Sequence, residues 1–166
     1  MKTGFPVVGV SVAAAILFCA GIFAAPLLEA GGHAAGSWLR WTYAPLCHQL
    51  ARRSLELAGH PLAVCARCTG LYLGGLLGLL WAVGAGWGVR VPGPQRAWLV
   101  VALLPTALDF VVKGLGNVPR LGVALPAGIA LGAFLGIGLN DLGRMMRPDR
   151  PSQKERKRWM RASPTC

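Results

Sequence analysis

Cysteine and histidine side chains are concentrated in one short stretch of this chain. Cys47-His48 is followed, 16 residues later, by the pair Cys65-Ala66-Arg67-Cys68, so that three of the five cysteines lie close together in the sequence. A CxxC pair binds a metal through two thiolates or forms a disulfide, and Cys47 with His48 would complete a Cys₃His site of the structural-zinc type. Iron is also compatible with such soft ligands. Because adjacent residues less often ligate one ion, His60 is a reserve ligand.

A redox function is the alternative for the same cysteines. Cys68 is expected at the start of a helix, where the positive end of the helix dipole and Arg67 both favour a thiolate. This arrangement resembles, in layout only, the quinone-coupled thiol–disulfide oxidoreductases that form disulfides at bacterial membranes. A third interpretation is an accessory subunit of a larger membrane complex, in which the cluster only staples the fold. The residues identify no reaction, and whether the protein is an enzyme is left open.

The composition indicates a membrane protein of the all-α class. Of the 166 residues, 54% are hydrophobic and only 14% are charged, whereas soluble domains contain about 25% charged residues. Mean hydropathy is +0.52. Segments of roughly 20 apolar residues suffice to cross a bilayer. We predict a transmembrane domain over residues 1–143 with a Cys/His loop at 29–68 and a basic tail at 144–166; its four spans are 5–28, 69–88, 97–114 and 121–139.

The distribution of basic residues predicts the orientation in the cell (inner) membrane. Eight of the 17 basic residues lie in the tail, which is therefore expected in the cytoplasm, and four spans then place the N-terminus there too. We expect the tail to bind anionic lipids rather than nucleic acid. The arginines of the Cys/His loop oppose this orientation. Either the site holds those arginines, or a re-entrant piece around residues 37–45 changes the count.

Four spans also bring several polar residues to the membrane face that carries the Cys/His loop. The second half of the third span contains Asp109, and the turn before the fourth contains Asn117 and Arg120. A carboxylate inside a membrane is costly and requires a partner or a function. Two interpretations remain open: a structural Asp–Arg clamp, or a polar pocket beside the cysteines formed by Arg67, Asp109, Asn117 and Arg120.

Glycines at intervals of four residues predict close helix packing. They recur in the second span at Gly70, Gly74 and Gly78, and again in the fourth at Gly128, Gly132 and Gly136. Small residues at this spacing let helix backbones approach each other. The two spans should therefore pack together, or one of them should pack against another subunit of a homo- or hetero-oligomer.

The cysteine motifs resemble a family of small prokaryotic membrane proteins, domain of unknown function two-zero-eight-five. The resemblance rests on Cys47-His48-Gln49 and on Cys65-Ala66-Arg67-Cys68-Thr69-Gly70, with Asp109 and the Asn117–Arg120 element further along. It covers roughly residues 43–139. After Arg120 the chain departs from the family pattern, with Leu121-Gly122 in place of Thr-Gly. The resemblance implies a multi-span membrane protein with a shared site, and it implies no activity.

Overall fold

The structure is a computed structural model, and it describes residues 5–84, 102–105, 107 and 116–145. Three long α-helices and one short one contain most of the described residues: α1 (Phe5–Ala30), the short α2 (Ala34–Thr42), α3 (Ala66–Gly84) and α4 (Asn117–Met145). Between α2 and α3 lie a 3₁₀ turn (Ala51–Arg53) and two short strands, β1 (Glu56–Leu57) and β2 (His60–Pro61). Residues 102–105 and 107 are also helical.

Three of the described helices are long and apolar enough to cross a membrane. The qualifying stretches are Val8–Ala30, Ala66–Gly84 and Asn117–Leu139, and apart from their ends they coincide with the first, second and fourth predicted spans. The predicted span at 97–114 lies outside the described residues, except for the helical residues 102–105 and 107. The basic tail from residue 146 onward lies outside them as well.

Helix α3 begins earlier than the hydropathy predicts, and its first turn explains the difference. The prediction started the span at Thr69, whereas the helix starts at Ala66. Cys65 immediately precedes it, and the sulfur of that residue accepts hydrogen bonds from the backbone N–H groups of Arg67 and Cys68. This is the bonding pattern of an N-cap residue, which satisfies donors that have no partner within the helix. The cysteine motif therefore also sets the helix boundary.

Helices α3 and α4 pack against each other along the predicted glycines, and they run parallel. A Cβ added at Gly70, Gly74 or Gly78 would overlap the backbone carbonyl of Leu121, Leu125 or Ile129. Residue numbers therefore increase in the same direction along both helices, so α3 and α4 are parallel. The contact is reciprocal, since a Cβ at Gly132 would overlap the Gly75 carbonyl. The prediction that these two spans pack together is confirmed within one chain.

The Cys/His loop folds back along the end of α1. After Gly31 and Gly32, the latter at φ +73°, helix α2 runs antiparallel to α1. Gly36 lies against the backbone of Glu29 and Ala25. Further along, the Tyr43 hydroxyl donates a 2.6 Å hydrogen bond to the Phe18 carbonyl. A helix therefore occupies much of the region in which a re-entrant piece was the alternative.

A small β-hairpin is the exception to the all-α prediction. Its strands pair antiparallel, with Leu57 opposite His60. The two residues of the turn, Ala58 and Gly59, both have positive φ, at 54° and 78°. Positive φ at both positions is typical of the type I′ turn, whose twist matches that of the flanking strands. The hairpin brings the chain back toward α1, and Leu62, Ala63 and Val64 then enter the buried core beside Ile22, Ala25 and Tyr43.

Candidate metal centre

Three cysteine sulfurs converge where the Cys/His loop meets the start of α3. The Sγ atoms of Cys47, Cys65 and Cys68 all lie within 4.8 Å of one another. Cys47 is buried and the other two are half-buried. Zinc–thiolate bonds of ~2.3 Å in a tetrahedron hold two sulfurs about 3.8 Å apart. Small side-chain rotations therefore suffice to bring the three sulfurs to bonding distance of one ion.

Hydrogen bonds to the Cys65 sulfur favour its thiolate form. Its pKa falls from the usual value to about 5, chiefly because the Cys68 thiol donates a hydrogen bond to it. Backbone N–H groups of Cys68 and Arg67 and the side chain of Cys47 add to this effect, while burial opposes it. Donors directed at a sulfur favour its charged form. The start of α3 thus stabilises the anionic ligand that a metal requires.

Backbone groups hold the Cys47 sulfur in place. The N–H of Cys65 donates to it over 3.2 Å, and the N–H of Gln49 lies 3.5 Å away. Gln49 adopts a positive φ of 51°, which directs its own side chain back into the loop. Its amide nitrogen donates to the carbonyls of Arg40 at 2.6 Å and Ala63 at 2.9 Å. In the Cys-His-Gln motif, Cys47 is thus a candidate ligand, and Gln49 holds the backbone around it in place.

Neither His48 nor His60, the two histidines predicted as ligands, joins the cysteines. The side chain of His48 is exposed, although the neighbouring Cys47 is buried. His60, the predicted reserve ligand, lies in the hairpin with its Nδ1 atom 3.7 Å from the Glu29 carboxylate. Within the described ranges, only the three cysteines form a group with metal-ligand spacing.

An ion pair between Arg40 and Glu29 fixes the hairpin over α1. The guanidinium donates to both carboxylate oxygens, at 2.9 Å and 2.6 Å. It also donates to the backbone carbonyls of Pro61 at 2.5 Å and Leu62 at 3.1 Å. Both side chains are largely shielded, with 18% and 15% of their area accessible. Glu29 and two backbone carbonyls thus hold Arg40, one of the arginines of the Cys/His loop.

Three of the four residues predicted to form a polar pocket are described, and the pocket itself stays a prediction. The Asn117 side chain donates to the carbonyl of Ser54 at 3.0 Å and, more weakly, to that of Arg52 at 3.4 Å. The start of α4 thus lies against the Cys/His loop. Arg67 and Arg120 are half-buried in the first turns of their helices, while Asp109 lies outside the described residues.

Aromatic rings close the protein side of the cluster. The ring of Phe18 meets those of Tyr43 and Tyr72 edge-on, each at a centroid distance of 4.9 Å. Tyr72, Cys65 and Cys68 pack against the same buried core. Spacing along the sequence does not place Phe18 or Tyr43 near the cysteines, because only the fold brings α1 against the loop. Burial raises the pKa of the Tyr43 hydroxyl, which remains a neutral hydrogen-bond donor.

Comparison with known proteins agrees with this architecture. The family described as "Predicted membrane protein (DUF2085)" matches residues 47–139, and the chain belongs to that family. An uncharacterised protein of Methanocaldococcus jannaschii is 33% identical over 107 residues, which cover 61% of this chain and 69% of the relative. An uncharacterised protein of Methanothermobacter thermautotrophicus is 34% identical over 102 residues, which cover 56% of this chain and 85% of the relative. No solved structure matches the chain.

Proposed function

We propose that this membrane protein binds a soft or borderline metal ion through Cys47, Cys65 and Cys68. The observation that carries the proposal is the convergence of the three sulfurs within 4.8 Å of one another. Zinc is the ion of first choice, because three thiolates in a partly enclosed site suit it, and iron is the second. The cysteines come from two segments of the chain, so a bound ion would tie the loop to α3.

The donors around the sulfurs support metal binding. Thiolates carry negative charge that must be balanced, and backbone N–H groups already point at Cys47 and Cys65. Hydrogen bonds of this kind orient the ligands and adjust their basicity. His48 lies apart from the three sulfurs in the structure. We propose that it turns toward a bound ion as the fourth ligand, since its exposed side chain is free of the core and follows Cys47 directly.

The direction of the helices supports the proposed four-span topology. Because α3 and α4 run parallel, the chain that leaves the end of α3 has to return to the face on which α3 began. A return of about 28 Å, the length of the 19-residue α3, requires a further crossing. The span at 97–114 supplies it. We propose that this crossing brings Asp109 to the metal-site face, beside Arg67, Asn117 and Arg120. Both termini would then be cytoplasmic, with the basic tail against anionic lipids.

Elemental analysis of the purified protein tests the proposal. The protein is expressed with zinc and iron both supplied, extracted in a mild detergent, and analysed for metal per chain. We expect close to one ion per chain for the natural protein, and loss of it in Cys65→Ser and in Cys68→Ser. Cys19→Ser is the matched control, because Cys19 is a buried free cysteine in α1 whose thiol contacts the Tyr72 carbonyl instead.

Two results would contradict metal binding. One is an equal metal content in the natural protein, both cluster variants and the Cys19 control. The other is a Cys65–Cys68 disulfide in metal-free protein prepared under exclusion of air, which would identify the pair as redox cysteines. Counting free thiols under denaturing conditions on the same samples distinguishes the two outcomes.

A further inference from the structure

Helix α2 has one face covered by α1 and another that carries two tryptophans. Gly36, Arg40 and Tyr43, spaced by four and three residues, face α1. Trp38 and Trp41 lie on the other side, with 75% and 76% of their area accessible. Two such large apolar side chains on a nine-residue helix indicate contact with something other than water.

Contacts between α1 and α3 set the depth of α2 in the membrane. The Cys19 thiol is 3.6 Å from the Tyr72 carbonyl, so residue 19 of α1 is level with Tyr72 of α3. Helix α3 begins at Ala66, six residues and about 9 Å earlier. Since α1 runs antiparallel to α3, it reaches the level of Ala66 near residue 25.

The described part of α3 indicates where the hydrocarbon ends. Its 19 described residues span ~28 Å, close to the ~30 Å thickness of the hydrocarbon core. A boundary near Ala66 on the site's side lies near residue 25 of α1, which extends a further ~8 Å to Ala30. Helix α2 begins beside this extension, where Gly36 contacts Ala25 and Glu29. Its end lies on the hydrocarbon side of the boundary, because the Tyr43 hydroxyl bonds to the Phe18 carbonyl.

We propose that α2 crosses the boundary between the lipid headgroups and the acyl chains, and that Trp38 and Trp41 insert at this boundary. Indole is apolar over most of its surface but carries one N–H donor, so it is favoured at this boundary. The Arg40–Glu29 ion pair lies on the opposite face of α2, directed toward the protein. The partner of the exposed face is thus the bilayer itself, and α2 anchors the Cys/His loop at a fixed depth.

Fluorescence quenching by brominated lipids tests this depth. Variants that retain only Trp38 or only Trp41, with the other five tryptophans replaced by Phe, are reconstituted in phosphatidylcholine vesicles. Bromine is placed either near the carbonyl end or near the middle of the acyl chains. A tryptophan-free protein with Leu77→Trp is the deep control, because the exposed Leu77 of α3 lies about 16 Å from Ala66, at mid-membrane. Elution as a single species shows that each variant is folded.

We expect Trp38 and Trp41 to be quenched more by the shallow bromine, and the Leu77→Trp control more by the deep one. Quenching of Trp38 and Trp41 in the deep pattern would overturn the proposal in favour of a re-entrant helix. Quenching by aqueous iodide alone would place α2 in water. Resistance to both lipid and aqueous quenchers would assign the face to another protein or a second copy of this chain.

Discussion

The α3–α4 contact and the Cys/His loop are held together by opposite means. Along α3 and α4 the backbones touch through glycines, so that shape alone determines the fit. In the loop, side chains of Arg40, Gln49 and Asn117 instead donate to backbone carbonyls. Because lipid tails are apolar, the hydrophobic effect does not drive helices together in a membrane, and close van der Waals packing provides the attraction instead. We propose above that α2 anchors the loop at the bilayer boundary, where polar bonds can form outside the hydrocarbon.

This difference separates the consequences of substitution. Substitutions at the contact between α3 and α4 should mainly affect folding in the membrane. They should affect the cysteine cluster only indirectly, through that loss of folding. Changes in the loop should release the cysteines while the spans remain inserted.

Arg40→Ala should have the largest effect of the loop substitutions. It leaves the shielded Glu29 carboxylate without its ion-pair partner and removes the donor to the Pro61 and Leu62 carbonyls. Breaking such a pair costs about 3 kcal/mol or more. We expect a lower midpoint of thermal denaturation in detergent and loss of bound metal. Arg53→Ala, an exposed residue of the 3₁₀ turn, is the control.

The double variant Glu29→Gln, Arg40→Gln sharpens this prediction. Removing both charges avoids the unpaired carboxylate, so the denaturation midpoint should recover in part. A double variant less stable than Arg40→Ala alone would show that the ion pair is not the main contribution of Arg40.

Gly74→Ala should destabilise the contact between α3 and α4. The added methyl would overlap the Leu125 carbonyl and lie 2.9 Å from the Ile129 nitrogen and 3.0 Å from the Gly128 Cα. These are backbone atoms, which cannot move aside cheaply, and overpacking typically costs 1–3 kcal/mol. The measurement is the fraction of protein remaining soluble and monodisperse after heating in detergent.

Gly122→Ala is the matched control on α4, since a Cβ there meets nothing within 4 Å. It should be neutral or slightly stabilising, because Ala favours a helix over Gly by up to about 1 kcal/mol. Equal loss in both variants would mean that the close approach of the backbones is not what holds these helices.

Substitutions of His48 and of His60 should differ in their effect on metal binding. His48→Ala is expected to weaken metal affinity by at least the roughly 10–100-fold that removal of an outer-shell partner costs, because we propose it as a ligand. His60→Ala should change affinity little, since that ring faces Glu29. Competition with a chromophoric chelator measures both. An unchanged affinity in His48→Ala would restrict the protein ligands to the three cysteines.

The sequence predicted the features that depend on spacing along one element. Glycines four residues apart lie on one helix face, so the contact between α3 and α4 followed from the periodicity. The cysteine cluster followed from motif spacing, because Cys65 and Cys68 occupy one helical turn and Cys47 lies nearby in the chain.

Contacts between distant elements were beyond the sequence. Nothing in the spacing shows that Gln49 binds the Ala63 carbonyl, or that α2 folds back along α1. The positions of the two histidines depend on the fold in the same way. The hairpin brings His60 to Glu29, which is distant in the sequence, and His48 remains outside the core.

Asn117→Ala should have the smallest effect, and it tests whether the two regions are coupled. Asn117 begins α4, yet its side chain donates to the Ser54 carbonyl at 3.0 Å, linking the helix pair to the loop. A single neutral hydrogen bond contributes about 1 kcal/mol, and the 3.4 Å contact to Arg52 adds little. Hydrogen exchange of the loop amides should increase, while exchange within α3 remains unchanged. Val118→Ala, at a 71% exposed neighbour, should alter neither. Faster exchange along α3 as well would show that the loop and the helix pair unfold as one unit.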